Sequence, residues 1–326
     1  MTLSDTQVAR LIEIARAYYF DNATQAEIAR MFDMSRSMVS RDLALARELG
    51  IVEISIRDPR QRTPGLRDHL LSLFPHLKDT VIAPTFTDSP DAVRATLGRF
   101  AANYLTASIQ PDQRLTLGCG RTLRAMIDTL PFRQVADIEI VQAMGNIGHE
   151  AHNIDYNEIA RRAAEAFGGR AYYVSAPAIL GPRAGTAHQF TETNPTLSHA
   201  LKRARTADVF VVGLGSLESD QLYAQAGLID MGELDAIRGK AVGDICGRFF
   251  DFDGQAVVTP FEARVVGIEL ADMQAAAVAI GIAGGADKIE PLVGALRGQY
   301  INVLVTDERT AHHIIDTVER SNHHVS

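Results

Sequence analysis

Leu115-Thr116-Leu117-Gly118-Cys119-Gly120-Arg121-Thr122 joins a short apolar run, a glycine-rich turn and the opening of a helix, and this joint decides the fold. It recurs where Val211-Val212 runs into Gly213-Leu214-Gly215-Ser216, and where Ile280-Gly281-Ile282 runs into Ala283-Gly284-Gly285-Ala286-Asp287-Lys288. The β-like runs, at 80–83, 114–117, 138–143, 209–212, 278–282 and 301–305, alternate with helical stretches, among them Pro90 to Ser108 and one starting at Thr122. Such alternation predicts a Rossmann-like α/β domain whose sheet is mainly parallel and covered by helices. No internal repeat or low-complexity tract interrupts it.

In an open parallel sheet these turns gather at the carboxyl edge, where ligands bind. Glycine lets the backbone approach a ligand, and the helix start that follows offers unpaired amides to an anion such as phosphate. Lys288 is one of four lysines in the chain and is placed one position into the helix after Gly284-Gly285; Arg121 holds a similar place after Gly120. The segment Gly243 to Gly254 mixes carboxylates with glycines and aromatics, a composition suited to sugar hydroxyls and ring carbons. Its Asp251-Phe252-Asp253-Gly254 lacks the oxygen series and terminal Glu of a calcium loop, so no metal site is expected. His312, His313, His323 and His324 read as surface or tail residues.

The first sixty residues follow a different pattern. Val8, Leu11, Ile12, Ile14 and Ala15 fall at helical spacing, and the helix they form should end near Phe20. Thr24 is a suitable N-cap with Glu27 as its capping-box partner, opening a two-turn helix with Ile28 and Ala29 inside. Phe32-Asp33-Met34 makes a turn, with Asp33 where many such turns carry Gly, and Ser35 caps a third helix with Met38, Val39, Leu43 and Ala46 as apolar positions. Ser35, Arg36, Ser37, Ser40 and Arg41 are left outward, where they can reach a major groove and its phosphates. Ile51 to Ile56 is β-rich. The polar, Pro-flanked residues 58–65 read as a linker, giving a helix-turn-helix domain at 1–57 and a larger domain at 66–326.

A chain of 326 residues, 46% hydrophobic and 22% charged, can build a substantial core, which excludes a disordered or fibrous protein. Its net charge of −8 argues against a nucleic-acid-coating protein. Residues 1–62 carry nine Arg against nine Asp and Glu, so the acidic excess lies beyond them. Two cysteines and no run of 18 apolar residues suit a reducing cytoplasm, with neither disulfide framework nor membrane span.

The chain resembles the SorC family of sugar-responsive transcriptional regulators. The likeness rests on Thr24 to Ala29 with Ser35 to Arg41, on Gly118 to Leu123, on Gly243 to Gly254, and on Gly294 to Gly298 with Ile301 to Glu308. It implies an effector domain similar to sugar-phosphate isomerases that binds a small phosphorylated sugar or polyol without turning it over. Carried over by matching positions, Gly120, Arg121 and Thr122 help cradle phosphate, Lys288 neutralises it, and Asp244 meets hydroxyls with Arg248 and Phe249 as neighbours; Gly118 and Gly285 are further effector-binding positions. Gly145-Asn146 departs from the family's Gly-Gly-like turn and places Asn146 against the ligand's polar end. The resemblance further implies operator DNA as partner, a homo-tetramer built as a dimer of dimers, and no cofactor. The alternatives are an active sugar-phosphate isomerase with Asp244 or Glu269 as base, an oligomeric scaffold with vestigial sites, and a regulator that senses an unphosphorylated polyol.

Overall fold

The computed structural model describes residues 4–52, 64–148, 155–217 and 222–323. The chain divides into two compact units, residues 1–61 with 131–133 and residues 62–130 with 134–326.

In the first unit, α1 (Asp5–Tyr19), α2 (Gln25–Met31) and α3 (Arg36–Glu48) follow one another closely. The Thr24 hydroxyl accepts from the Glu27 amide at 3.3 Å while Glu27 Oε2 accepts from the Thr24 amide at 2.8 Å, the reciprocal cap expected of this spacing. The Thr24 hydroxyl, which donates to Glu27 Oε2 at 2.7 Å, and then the Thr24 amide hold the Glu27 carboxyl below its ordinary range. Asp33 takes φ 48°, the left-handed turn that glycine would otherwise supply. Ile14, Ile28, Val39 and Leu43 form the core, with Leu11, Ala15 and Ala46 beside it. Met38 and Ile12, expected inside, are instead exposed. Ile51 and Val52 pack against the core in a bend rather than a strand, and residues 53–56 of the expected β-run lie outside the described residues. Of the expected linker, 58–63 are likewise outside them, and Pro64 and Gly65 already belong to the next helix.

The second unit runs α4 (Pro64–Leu73), β1 (Asp79–Ala83), α5 (Pro90–Ser108), β2 (Arg114–Leu117), α6 (Arg121–Asp128), β3 (Glu139–Gln142), α7 (Tyr156–Phe167) and β4 (Arg170–Tyr172). It continues with α8 (Ala187–Glu192), α9 (Pro195–Arg205), β5 (Val209–Gly213), β6 (Gly215–Ser216), α10 (Leu222–Gln225), α11 (Met231–Asp235), β7 (Gly243–Ile245) and β8 (Arg248–Phe250). The last elements are α12 (Leu270–Gln274), β9 (Val278–Ile282), α13 (Ile289–Arg297), β10 (Val303–Asp307) and α14 (Glu308–His323).

Seven strands form one parallel sheet in the order β1-β10-β9-β5-β2-β3-β4. Strands covered on both faces need near-continuous apolar runs, and Val209 to Val212 and Val303 to Val305 are buried throughout. Helices α4, α5 and α14 pack on β1 and β10, while α7 and α9 pack on β3. After β2 the chain moves through β3 and β4 to one side, then crosses back to β5 and on through β9 and β10 to the other. The switch point therefore lies between the carboxyl ends of β2 and β5. A smaller antiparallel sheet, β6-β7-β8, stands beside it.

Candidate functional site

On the first unit, Arg36, Ser37, Ser40 and Arg41 of α3 and its N-cap Ser35 are exposed, all at the helix that follows the tight turn. The Ser35 hydroxyl accepts from the Met38 amide at 3.2 Å and pairs with the Ser37 hydroxyl at 2.9 Å, so its first role is the cap. Asp42 does not dilute the charge of this face. It is buried, and its carboxylate accepts from Arg10 Nε on α1 at 3.1 Å.

On the second unit, a cavity of about 370 Å³ opens at the carboxyl ends of β2, β5 and β9. Gly120, Arg121 and Thr122 line it from the β2–α6 joint, Gly213 and Gly215 from the end of β5, and Gly284, Gly285 and Lys288 from the end of β9. Gly120 and Gly285 take φ 125° and 106°, backbone angles that an L side chain rarely adopts, and each caps the helical turn that follows. No side chain caps α6, and its first residues, Arg121 and Thr122, line the cavity. The turn after β5 differs from expectation, because Gly215 enters β6 and not a helix. Lys288 also sits slightly earlier than expected: residues 286–288 form a 3₁₀ turn and Lys288 is the cap residue of α13, with Nζ 3.2 Å from Asp287.

Asp244 on β7 lines the same cavity. Its Oδ2 accepts from the Tyr223 hydroxyl and from the Gly247 amide, both at 2.9 Å. Burial first, and then the negative charge of Asp244, push the Tyr223 hydroxyl far above its ordinary range, so it remains a donor. A Cβ at Gly215 would stand 1.9 Å from Asp244 Oδ1, so only glycine leaves this carboxylate in place. Arg94 and Asp88, from α5 and the segment before it, complete the wall. Arg94 pairs with Asp91, and Asp88 with Arg309.

The cavity thus gathers Gly120, Arg121, Thr122, Asp244, Gly285 and Lys288 from the expected set and leaves the others elsewhere. Gly118 is not in its wall: a Cβ there would meet Val212 and stand 3.4 Å from Cys246 Sγ. Gly145 and Asn146 are engaged through their backbones, with the Gly145 amide donating to Val266 O and the Asn146 amide to Ala176 O. A Cβ at Gly145 would strike the Ala176 carbonyl at 2.4 Å, so close strand-like contact requires this glycine. Arg248 is buried and faces away, its guanidinium donating to Glu262 Oε1 and Glu269 Oε1, both at 2.6 Å. Phe249 backs Tyr223 edge-on, with ring centroids 6.3 Å apart. Asp251 serves a turn, accepting from the amides of Asp253 and Gln255. Arg94, Tyr223 and Cys246 were not foreseen as lining residues. Arg94 carried a usable signal, since it lies in the second turn of a helix that follows a strand.

Residues 64–316 match the family model described as "Putative sugar-binding domain". The chain is 31% identical over 312 residues to the transcriptional regulator LsrR of Escherichia coli, covering 94% of this chain and 93% of that one. It is 29% identical over 307 residues to the deoxyribonucleoside regulator of Bacillus subtilis, covering 94% and 96%. The crystal structure of the full-length sorbitol operon regulator SorC from Klebsiella pneumoniae superposes with a TM-score of 0.73 at 28% identity, covering 96% of this chain and all of that one. No helix among the described residues is long and apolar enough to cross a membrane. With a helix-turn-helix unit preceding a parallel-sheet domain of the sugar-binding family, and whole-length likeness to operon regulators, the chain belongs to the SorC family of transcriptional regulators.

Proposed function

We propose that the chain binds operator DNA through α3 and that a small phosphorylated sugar or polyol in the switch-point cavity controls that binding. One observation carries this reading: glycine turns at the carboxyl ends of β2, β5 and β9 converge on one cavity with Arg94, Arg121 and Lys288 in its wall. The amides of α6 and these cations suit a phosphate, and Asp244 suits the hydroxyls. A volume of about 370 Å³ is that of a small-molecule site. Relatives named for a deoxyribonucleoside and for a sorbitol operon support a carbohydrate or polyol.

The ligand is held without turnover. Asp244 is tied to Tyr223 and Gly247, and Glu269 lines a different cleft where Arg248 and Arg205 hold it. A second reading, an unphosphorylated polyol, draws support from Asp88, Asp244 and Asp287 around the same cavity. Residues 1–57 serve as the DNA-binding domain and 66–326 as the effector domain, in a cytoplasmic homo-tetramer arranged as a dimer of dimers. Pairing weakly charged modules on one oligomer raises their effective concentration at an operator. Ligand closes the turns around Gly120 and Lys288 and shifts the quaternary equilibrium, which requires unequal affinity for the two states.

The test uses fluorescence anisotropy with a duplex that the purified chain selects from a random-sequence pool. Arg36→Ala and Arg41→Ala should each weaken binding about tenfold or more, and a sugar or polyol phosphate should change the affinity of the unaltered chain. Variants that bind as tightly as the parent would remove α3 from the interface.

A further inference from the structure

The chain has two cysteines, 127 positions apart, and the fold brings both to the wall of the switch-point cavity. Cys119 sits in the β2–α6 joint and is partly exposed; Cys246 is buried at the turn of the β7–β8 hairpin with φ 52°. The Cys246 thiol is within hydrogen-bonding contact of Cys119, and a Cβ at neighbouring Gly118 would stand 3.4 Å from Cys246 Sγ. Cys119 Sγ also donates to Met144 Sδ at 3.6 Å. An accessible thiol with a second, buried thiol beside it is the arrangement of an attacking and a resolving cysteine.

We infer that Cys119 and Cys246 form a reversible intramolecular disulfide when the chain meets a peroxide. Cys119 sulfur attacks one peroxide oxygen, the O–O bond breaks, and Cys119 becomes a sulfenic acid as water leaves. Cys246 sulfur then attacks Cys119 sulfur, the S–O bond breaks, and the departing hydroxide takes the Cys246 proton as a second water. Two thiols lose two electrons and the peroxide gains them. The hydrogen bond to Cys119, followed by burial, pushes the Cys246 thiol well above its ordinary range, so it waits protonated until Cys119 is oxidised. The bridge ties the β2–α6 joint to the hairpin that carries Asp244. Any effect on effector affinity rests on the proposed effector site; formation of the bridge does not.

The full-length chain is treated with equimolar hydrogen peroxide, denatured, alkylated and digested with trypsin. The expected product is residues 115–121 linked to residues 241–248, both thiols being lost together and regained with dithiothreitol. In Cys246→Ser, Cys119 should stop as a sulfenic acid that dimedone traps; in Cys119→Ser, Cys246 should stay reduced. The peptide map of the unaltered chain stands on its own if either variant fails to fold. Persistence of both thiols, sulfinic acid at Cys119 with Cys246 still free, or a linkage found only in covalent dimers would each overturn the inference.

Discussion

Asp244 is 9% exposed and keeps its place through Tyr223, Gly247 and the missing side chain of Gly215. Tyr223→Phe removes a buried donor to a carboxylate and should cost about 1–2 kcal/mol in urea unfolding, because a buried acceptor that loses a partner keeps its desolvation cost. Gly215→Ala forces a Cβ into the space of Asp244 Oδ1 and should weaken effector binding more than it weakens the fold, as titration beside unfolding would show. Tyr223 was not legible in the sequence as part of a site, and Gly215 was legible only as a turn glycine at the sheet edge, not as the neighbour of Asp244. Tyr223 belongs to a four-residue helix with no periodicity to read, and Gly215 looked like one more turn glycine until β7 was placed against it. Arg248 misled for the opposite reason: it adjoins cavity residues in the chain, but strand alternation turns it to the other face, where two glutamates bind it.

At the level of elements, adjacent strands are coupled by charge. Arg114 and Glu139 are partners in the β2–β3 register, with Arg114 Nε 2.8 Å from Glu139 Oε2. Partial burial raises the Glu139 carboxyl, but the hydrogen bond and charge of Arg114, with Arg203 and Tyr172, outweigh it and hold it below the ordinary 4.5. A carboxyl lowered in the folded state stabilises fully above its unfolded value and loses that stabilisation as pH falls through the folded one. Glu139→Gln should therefore reduce stability at neutral pH by about 1 kcal/mol and flatten its loss on acidification below about 4.5, followed by urea melts across pH. Asp42→Ala, which strips Arg10 of its partner, should destabilise the helical unit by about 1 kcal/mol, discounted for the exposure of Arg10, without touching the outward face of α3.

Helix α5 and strands β2 and β9 match their expected bounds because continuous apolar runs between breakers leave little choice. Strand β10 begins two residues later than expected. The Asn302 side chain takes the place of a ladder partner there, accepting from the Ala279 amide at 2.9 Å and donating to the Ala276 and Ala277 carbonyls. The β7–β8 hairpin was missed because its strands are three residues long and its turn is Cys246-Gly247, both at positive φ, where Asn-Gly would have announced it.

For the whole molecule, the doubly wound order of the sheet matters most, since it separates β2 from β5 in the path of the chain and opens a crevice at their carboxyl ends. The alternation of strands and helices made the fold class legible, and the glycine joints made the cavity legible in outline. The order of seven strands was not, because it depends on which crossovers reverse direction. The central claim is that this crevice binds a phosphorylated sugar or polyol, and the most direct measurement is the thermal unfolding of the purified chain against a panel of sugars, polyols and their phosphates. A ligand at 100 times its dissociation constant adds about 2.7 kcal/mol, a rise of several degrees for a domain of this size. The account predicts such a rise with a phosphorylated member of the panel and its loss in Arg121→Ala and Lys288→Ala. A rise that persists undiminished in both variants, or one produced by unphosphorylated compounds alone, would contradict it.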